Sequence, residues 1–431
     1  MSGVALQVAE AVESALGERL PIGIVAWDGS KTAQDGEPLL IFRSPEAIAQ
    51  LTWAPGELGL ARAYVTGSLD LDGDVFEFFD RAAEAWGSDR RIPLGAKISL
   101  LRRAGRLGAW GHRPPIPPEE APLKAHRFRH SLTSDRQAIA HHYDVGNEFY
   151  RRVLGPSMVY SCAYFPLPAM ASANDQQQEG ILEVAQQAKL DIVARKLGLQ
   201  PGMRMLDVGC GWGSMALHAA QHYGVDVVGI TLSREQATLA RQRVIEAGLT
   251  EKIDIRLQDY REIKDGPFDA ISSIGMAEHV GRDQFTSYAT VLYGLLRLGG
   301  RLLNHQIARR PGDARNTASP FIQRYVFPDG ELLPLADTVA ALEGAGFEVR
   351  DVESLREHYA LTLRQWVANL HDNWSDCVDL VGQGRVRVWQ AYMAASAIAF
   401  ERNRIGVNQI VAVRPTPAGA STMPLRARQW L

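Results

Sequence analysis

The sequence has few cysteines and no long apolar run. Its 431 residues include three cysteines, Cys162, Cys210 and Cys377, an odd and widely spaced set without metal-ligand pairing. Such a set indicates neither a disulfide framework nor a zinc site. No segment reaches the roughly 18 uninterrupted apolar residues of a membrane-spanning helix, and the start of the chain lacks the basic residues of a secretory signal. We therefore expect a cytoplasmic globular protein that holds no metal.

Neither sign of charge dominates, but the basic residues are unevenly distributed. The formal net charge is −3 and 46% of the residues are hydrophobic, which is enough to form a core in two or three units. Between Arg90 and His130, ten Lys or Arg accompany only Glu119 and Glu120. A basic amphipathic helix predicted at 94–110 could lie on an anionic lipid surface or pack on its own domain. No nucleic-acid motif or aromatic interleaving occurs there, so we expect no nucleic-acid partner.

A cluster of prolines predicts a boundary between two domains. Five of the ten residues at 113–122 are proline, which cannot continue a helix or a central strand and favours an extended linker. We predict an N-terminal domain at 1–110, a linker at 111–134 and a second domain at 135–431. The patterns that indicate a small α+β fold in the N-terminal domain are strands at 38–43 and 68–72 and helices at 44–51, 58–65 and 75–85.

After the linker, helical and strand patterns alternate. Alternation of this kind predicts parallel strands with crossover helices, which is the doubly wound, Rossmann-like α/β fold. The predicted strands lie at 204–208, 225–230, 252–257, 268–273 and 299–305, and the helices at 180–197, 213–223, 234–247 and 283–296. Two later strand patterns, at 347–352 and 409–414, could add an antiparallel pair at one edge of the sheet.

The first of these strands ends in a turn rich in glycine. Asp207 is followed by Gly209, Gly211 and Gly213, which let a ligand approach the backbone. The second strand ends in Thr231-Leu-Ser, without the acid that holds the ribose of a dinucleotide, and no phosphate-loop lysine is present. The turn therefore suits a ligand without a pyrophosphate, such as S-adenosylmethionine, although an ordinary strand-to-helix turn is the alternative.

Polar residues at the predicted strand ends indicate a ligand crevice. In parallel sheets the carboxyl ends of the strands meet at one edge, where ligands bind. The residues that would converge there are Asp207, Thr231, Asp259, Gly275 and His305. Ser233 and Gln236 match a helix capping box, but they also face this crevice and could replace the missing acid. Tyr260, next to Asp259, could offer an aromatic face to an adenine ring.

Seven ordered blocks in residues 135–415 resemble the cyclopropane fatty acid synthase and mycolic acid methyltransferase family. The blocks are His142–Asn147, Tyr160–Tyr164, Leu206–Gly213, Gly229–Gln236, Met276–Gly281, Phe321–Pro328 and the region of Tyr359. The blocks at 58–64 and 67–71 resemble the extra N-terminal domain of the longer members that act on phospholipids. The length of the chain and the block at 59–70 resemble the actinobacterial members that make 10-methylene acyl chains in tuberculostearic acid synthesis.

The resemblance implies an enzyme that transfers the methyl group of S-adenosylmethionine to a cis double bond of a lipid acyl chain. A carbocation results, and a bound bicarbonate ion removes a proton from it. The positions that match the bicarbonate ligands of the family are Cys162, Glu278, His305, Ile307 through its backbone, and Tyr359. The positions that match its cofactor contacts are Tyr160, Ser161, Asp207, Gly209, Gly211, Thr231, Ser233, Gln236, Asp259 and Tyr260. The aromatic residues that could stabilise the cation are Tyr164, Phe321, Tyr325 and Tyr359.

The product is less defined than the reaction. Deprotonation of the new methyl group closes a cyclopropane ring, or gives an exocyclic methylene if a hydride shifts first. We favour conversion of oleoyl to 10-methylene stearoyl chains, with cyclopropanation as the alternative. A small-molecule methyltransferase and a non-catalytic lipid-binding protein of the same fold are further alternatives. The expected partners are membrane phospholipid acyl chains, reached by peripheral contact at the inner face of the membrane. A homodimer and a reductase that acts on the methylene product are compatible with the resemblance.

Overall fold

The computed structural model describes most of the chain and divides into two compact units. The described residues are 3–34, 36–86, 105, 107, 113–121, 145–166, 180–312, 319–328, 330–426 and 428. The first unit comprises Met1–Leu123, Ser319–Val326 and Trp374–Ile398, and the second comprises Lys124–Ala318, Phe327–Asn373 and Ala399–Leu431. Nearly all of the predicted basic helix at 94–110 lies outside the described residues, as do positions 142–144 of the first family block.

The first unit contains a three-stranded sheet and helices. Strands β1 (Gly23–Ala26) and β2 (Leu39–Phe42) are parallel, and β3 (Leu69–Asp72) pairs antiparallel with β2. Alternate residues of β2, Leu40 and Phe42, are buried in its apolar core, as expected for a strand with one covered face. The helices near the N-terminus are α1 (Val4–Leu16), α2 (Pro45–Trp53), α3 (Glu57–Val65) and α4 (Val75–Trp86). The predicted strands and helices of this region are present, whereas α1 and β1 were not predicted.

A buried carboxylate holds the proline-rich segment in the first unit. Glu120 accepts hydrogen bonds from Arg62 Nε at 2.7 Å and from Tyr325 Oη at 3.1 Å, and it pairs with Arg324 at 2.9 Å. Burial raises the pKa of Glu120, but the hydrogen bonds and charge of Arg62 outweigh it and hold that pKa below its usual range. Residues 113–121, which lie in the extended, proline-rich linker predicted at 111–134, are thus anchored to the first unit.

A helix from far along the chain also belongs to the first unit. The C-terminal helices here are α12 (Trp374–Val381) and α13 (Gln383–Glu401). Arg387 of α13 donates to the carbonyl oxygens of Tyr64 at 2.9 Å and Leu69 at 3.2 Å, and it pairs with Asp70 at 3.2 Å. The two units therefore differ from the predicted domains, in which all of 135–431 formed one domain. Contacts between residues that are distant in the sequence leave no periodic pattern, so the sequence could not predict this division.

The second unit is a seven-stranded sheet with the predicted fold class. Its strands are β4 (Arg204–Val208), β5 (Asp226–Thr231), β6 (Ile253–Leu257), β7 (Phe268–Ile274), β8 (Leu296–Arg309), β9 (Glu348–Ser354) and β10 (Ile405–Val413). Their order is β6-β5-β4-β7-β8-β10-β9. Strands β4 to β8 are parallel, and β10 runs antiparallel between β8 and β9. The Rossmann-like sheet and the antiparallel pair at its edge are both confirmed.

Helices and apolar side chains cover both faces of this sheet. The helices are α5 (Asn147–Leu154), α6 (Ile181–Leu197), α7 (Ser214–Tyr223), α8 (Arg234–Glu246), α9 (Arg282–Leu295), α10 (Leu335–Gly344) and α11 (Arg356–Asp372). Adjacent residues of β4, Met205 and Leu206, enter two different apolar clusters, because successive side chains of a strand point to opposite faces. Among the described residues, no helix is long and apolar enough to cross a membrane.

We expect Glu120→Gln to lower the free energy of unfolding by about 3 kcal/mol, because two arginines then lose their buried counter-charge. Glu119→Gln on the same segment is the matched control and should change it by less than about 0.5 kcal/mol. Urea unfolding measures both. Equal effects of the two substitutions would contradict a stabilising role for the Glu120 cluster.

Candidate active site

A pocket opens at the carboxyl ends of the parallel strands in the second unit. Nine of the ten predicted cofactor residues line it: Tyr160, Ser161, Asp207, Gly209, Gly211, Thr231, Gln236, Asp259 and Tyr260. Ser233 is not among the lining residues, since its buried hydroxyl caps α8 by accepting from the Gln236 amide at 3.2 Å. This bond is the first half of the predicted capping box. The Gln236 side chain instead accepts from the Thr231 hydroxyl at 2.7 Å.

The glycine turn forms one wall of this pocket. Gly209 and Gly211 have φ angles of 75° and 54°, in the left-handed region that favours glycine. A side chain at Gly209 would also lie 3.2 Å from Cβ of Met276. The amides of Gly209 and Cys210 donate to the Ile230 carbonyl at 3.0 and 2.9 Å. The turn is therefore fixed against β5 and exposes its backbone to the pocket.

Two buried groups of opposite charge face the same pocket. Asp207 accepts from Ser272 Oγ at 2.6 Å, whereas its Oδ2 atom has no hydrogen-bond partner among the described residues. Burial raises the pKa of Asp207 to about 6. Lys189 donates to Ser161 Oγ at 2.9 Å, and burial lowers its pKa to about 8. A ligand with both an ammonium and a carboxylate group, such as the amino-acid part of S-adenosylmethionine, matches this pair of charges.

Lys189 was not predicted as a site residue. It lies in α6, where it is buried among apolar residues, and the helical pattern alone indicated only packing. A lysine on the inward face of an amphipathic helix is the signal that would have found it, because an ammonium group is rarely buried without a partner.

The carboxylate of Asp259 accepts hydrogen bonds from within its own segment. Its Oδ1 atom accepts from Arg261 Nε at 2.7 Å and from the Arg261 amide at 2.9 Å, which caps the short helix Tyr260–Glu262. Asp259 thus lines the pocket but shares its charge with Arg261. The buried Tyr260 contributes its ring to the pocket lining beside it.

A second polar cluster lies next to the pocket, between β7 and β8. The short helix Ala277–His279 follows β7 and carries Glu278. Glu278 Oε1 accepts from the Ile307 amide at 2.8 Å, and its buried Oε2 has no partner among the described residues. Burial raises the pKa of Glu278 to about 7. Gly275, Met276 and His279, around this carboxylate, line the pocket.

His305 lies on the same face of β8 as Ile307, two residues away. The side chain of His305 is buried, and burial lowers its pKa to about 3, so that the ring is neutral. Nδ1 lies 3.2 Å from Gln409 Nε2, whereas Nε2 has no partner within the described part of the chain. The site therefore contains a buried carboxylate oxygen and a buried ring nitrogen that protein groups leave unpaired.

Leu355 forms hydrogen bonds with the remaining two predicted residues, Cys162 and Tyr359. Its carbonyl accepts from Cys162 Sγ at 3.6 Å and from the Tyr359 amide at 3.0 Å. Its amide donates to Val407, the β10 residue that pairs with Ile307. Burial raises the pKa of the Cys162 thiol, so this cysteine is a thiol and not a thiolate nucleophile. Hydrogen bonds and strand pairing thus connect all five predicted residues to β8 or to Leu355, with Tyr359 connected through its backbone amide.

The aromatic candidates are distributed over both units. In the second unit, Tyr164 stacks on His358 with ring centroids 5.0 Å apart, and Tyr359 packs on Phe400 at 4.7 Å. Phe321 and Tyr325 belong to the first unit, where their rings lie 5.4 Å apart. Within the described ranges, no three His, Cys, Asp or Glu side chains are grouped so that they could hold a metal ion.

Comparison with known proteins agrees with the fold. The family of mycolic acid cyclopropane synthetases matches residues 130–410. The chain belongs to this family. It is 42% identical to a probable fatty acid methyltransferase of Mycobacterium tuberculosis, over 98% of both chains. It is 33% identical to the cyclopropane-fatty-acyl-phospholipid synthase of Escherichia coli, over 84% of this chain and 85% of that protein.

A solved structure supports the same assignment. The mycolic acid cyclopropane synthase complexed with SAH and CTAB has a TM-score of 0.58 and 33% sequence identity, and the match covers 67% of this chain and 99% of that one. The resemblance of the sequence to the cyclopropane synthase family is confirmed. The chain therefore has the fold of an S-adenosylmethionine-dependent methyltransferase, and its family is of the fatty acid methyltransferase and cyclopropane synthase type.

We expect Asp207→Asn to weaken S-adenosylmethionine binding by roughly 10- to 100-fold, since a hydrogen bond to a charged group contributes about 1.5–3 kcal/mol. Isothermal titration calorimetry measures the affinity. In the unsubstituted protein the affinity should also fall below pH 6, because burial raises the pKa of Asp207 to about 6 and protonation removes the carboxylate charge. Asp226→Asn, at a half-buried residue of β5 that pairs with Lys252, is the control. Unchanged affinity in Asp207→Asn would exclude this contact.

Proposed function

We propose that this protein transfers the methyl group of S-adenosylmethionine to the cis double bond of an unsaturated acyl chain in a phospholipid. The favoured reaction converts oleoyl to 10-methylene stearoyl chains. The observation that carries the proposal is the pair of buried, unpartnered atoms Glu278 Oε2 and His305 Nε2 beside the cofactor pocket. A relative that is 42% identical over nearly the whole chain and is named a probable fatty acid methyltransferase supports the acyl substrate.

The two unpartnered atoms fit bicarbonate as the base. A buried polar atom without a partner costs about 1–3 kcal/mol, so a ligand that pairs with both atoms would stabilise the site. Bicarbonate has a hydroxyl that can donate to Glu278 and oxygens that can accept from protein donors. We propose Glu278, His305, Cys162 and Tyr359 as its ligands, together with the Ile307 backbone, whose amide would be shared between the ion and Glu278 Oε1. When bound, S-adenosylmethionine supplies an electrophilic methyl group and bicarbonate supplies a base.

The protein's own residues would bind and orient the cofactor and the base, and would exclude water. The alkene is the nucleophile, so the buried Cys162 thiol does not need to attack. Asp207 and Lys189, which both line the pocket, would align the cofactor. Tyr359, whose ring is buried against Phe400, could stabilise positive charge on the acyl chain through its π face. Glu278 would hold the base where the new methyl group must lose its proton.

The choice between a methylene and a cyclopropane product does not rest on the overall likeness. The relative named a fatty acid methyltransferase is 42% identical over 98% of the chain, compared with 33% over 84% for the cyclopropane synthase. The tuberculostearic acid methyltransferase of Mycobacterium tuberculosis is 32% identical over 92% of the chain, so these identities do not separate the two products, and the preference for methylenation rests on the N-terminal blocks at 58–64 and 67–71. Cyclopropanation of the same double bond needs the same base and is the second candidate.

The proposed substrate also suggests where the protein works. A phospholipid acyl chain must leave the bilayer, so we propose peripheral contact at the inner face of the membrane. The basic segment at 90–113 is the candidate for that contact, because clustered Lys and Arg are attracted to anionic lipids. A homodimer, and a reductase that acts on the methylene product, are further parts of this proposal.

Product analysis tests the proposed reaction. The protein is incubated with methyl-labelled S-adenosylmethionine and oleoyl phospholipid vesicles, and the acyl chains are examined by mass spectrometry and NMR. We expect labelled acyl chains with exocyclic methylene protons. Cyclopropane proton signals would replace methylenation by the second candidate. If protein that binds the cofactor leaves the acyl chains unlabelled, the lipid function is wrong and a small-molecule methyltransferase or a non-catalytic lipid-binding protein becomes the better description.

Glu278→Gln should lower turnover by roughly 100-fold or more, the size expected for loss of an acid–base function, while cofactor affinity stays unchanged. The amide keeps the shape of the side chain but removes the charge that holds the base. Glu343→Gln, at an exposed position of α10, is the matched control. Turnover is measured as acyl labelling and affinity by calorimetry. Undiminished turnover in Glu278→Gln would refute the assigned role.

A further inference from the structure

Three side chains form a row across neighbouring strands at the edge of the large sheet. Gln409 of β10 pairs in register with His305 of β8 on one side and with Glu353 of β9 on the other. Directly paired residues project to the same face of a sheet. Lys196, near the end of α6, donates to both Glu353 and Gln409. A buried hydrogen-bonded chain therefore runs from Glu353 through Lys196 and Gln409 to His305.

Lys196 determines which way the Gln409 amide faces. Its ammonium group has three donors and no acceptor, and it lies 2.6 Å from Gln409 Oε1. If the amide were reversed, its NH₂ group would face the ammonium group. The amide is thus oriented with Oε1 toward Lys196 and Nε2 toward His305 Nδ1, at 3.2 Å.

This orientation determines the protonation of the histidine ring. The Gln409 NH₂ group is a donor, so His305 Nδ1 must accept. A neutral imidazole carries one proton, on either Nδ1 or Nε2. With Nδ1 accepting, the proton is on Nε2, and that atom is buried with no partner among the described residues.

We propose that Lys196 and Gln409 are positioning residues that hold His305 as its Nε2–H tautomer, so that the ring offers a donor to an anion. That the anion is bicarbonate rests on the proposed function; the tautomer does not. Glu278 Oε2 supplies the complementary acceptor. A site with one donor and one acceptor selects an anion that also carries a hydroxyl proton. A metal ion cannot bind to a protonated Nε2, which makes the site selective against cations.

A purely structural role for the row leads to a different expectation. Lys196 already has a counter-charge in Glu353, so Gln409 would serve only to fill space between the strands. The amide would then not set the tautomer, and the unsubstituted protein would show Nδ1–H or a mixture of both tautomers. The positioning role predicts Nε2–H alone in the unsubstituted protein, and a proton moved to Nδ1 in Gln409→Glu, since a carboxylate accepts hydrogen bonds and cannot donate to Nδ1.

Imidazole ¹⁵N NMR of histidine-labelled, full-length protein tests the tautomer directly. The His305 signals are assigned by their loss in His305→Gln. We expect Nε2 protonated and Nδ1 unprotonated in the unsubstituted protein, and Nδ1 protonated in Gln409→Glu. Asn408→Asp makes the same chemical change at the next residue of β10, which faces the other side of the sheet, and should leave the His305 signals unchanged. A protonated Nδ1 in the unsubstituted protein would overturn the proposal.

A second variant decides the question if Gln409→Glu does not fold. In Lys196→Met the Gln409 amide can rotate, so both tautomers of His305 should appear; a spectrum that still shows only Nε2–H would overturn the role of Lys196. Titration with sodium bicarbonate, with sodium chloride as control, tests the ligand separately. A shift of the Nε2–H signal with bicarbonate alone supports the base site. The predicted tautomer without such a shift would keep the positioning role and refute bicarbonate as the ligand.

Discussion

The hydrogen bond from the Ile307 amide to Glu278 is the interaction on which this site depends. It joins the segment after β7 to β8 and satisfies one carboxylate oxygen at 2.8 Å. The other oxygen is left buried and available. Because burial disfavours the charged form, such a carboxylate gains from a ligand that donates a hydrogen bond. The same strand carries His305 two residues away, so one backbone segment positions both unpartnered groups.

The sheet topology explains why cofactor and base can lie side by side. The parallel strands β4, β5 and β7 end at the pocket, which Asp207, Thr231 and Gly275 line. Strand β8 pairs with β7 and extends past the end of β7 as far as Arg309. Insertion of β10 between β8 and β9 then adds a polar row behind His305. One fold thus places the pocket next to the two buried, unpartnered atoms Glu278 Oε2 and His305 Nε2, to which we assign the proposed anion.

Much of this arrangement could be predicted from the sequence. Strand periodicity predicted β4 to β8 to within a few residues at each end, and the missing acid after β5 correctly argued against a dinucleotide. The roles of Lys189, Lys196 and Gln409 could not be predicted, because each lies in a regular helix or strand where the pattern indicates only packing. The contacts of Arg387 and Glu120 in the first unit could not be predicted either. Their partners are distant in the sequence and become neighbours only through the fold.

The central claim is that a bound anion, and not a protein side chain, removes the proton. The most direct test measures turnover in buffer freed of carbon dioxide while bicarbonate is added back at constant pH and ionic strength. The account predicts that turnover is almost lost without bicarbonate and rises to saturation as it is restored, with cofactor affinity unchanged. Full turnover in the absence of bicarbonate would contradict the account and assign the proton transfer to a residue of the protein.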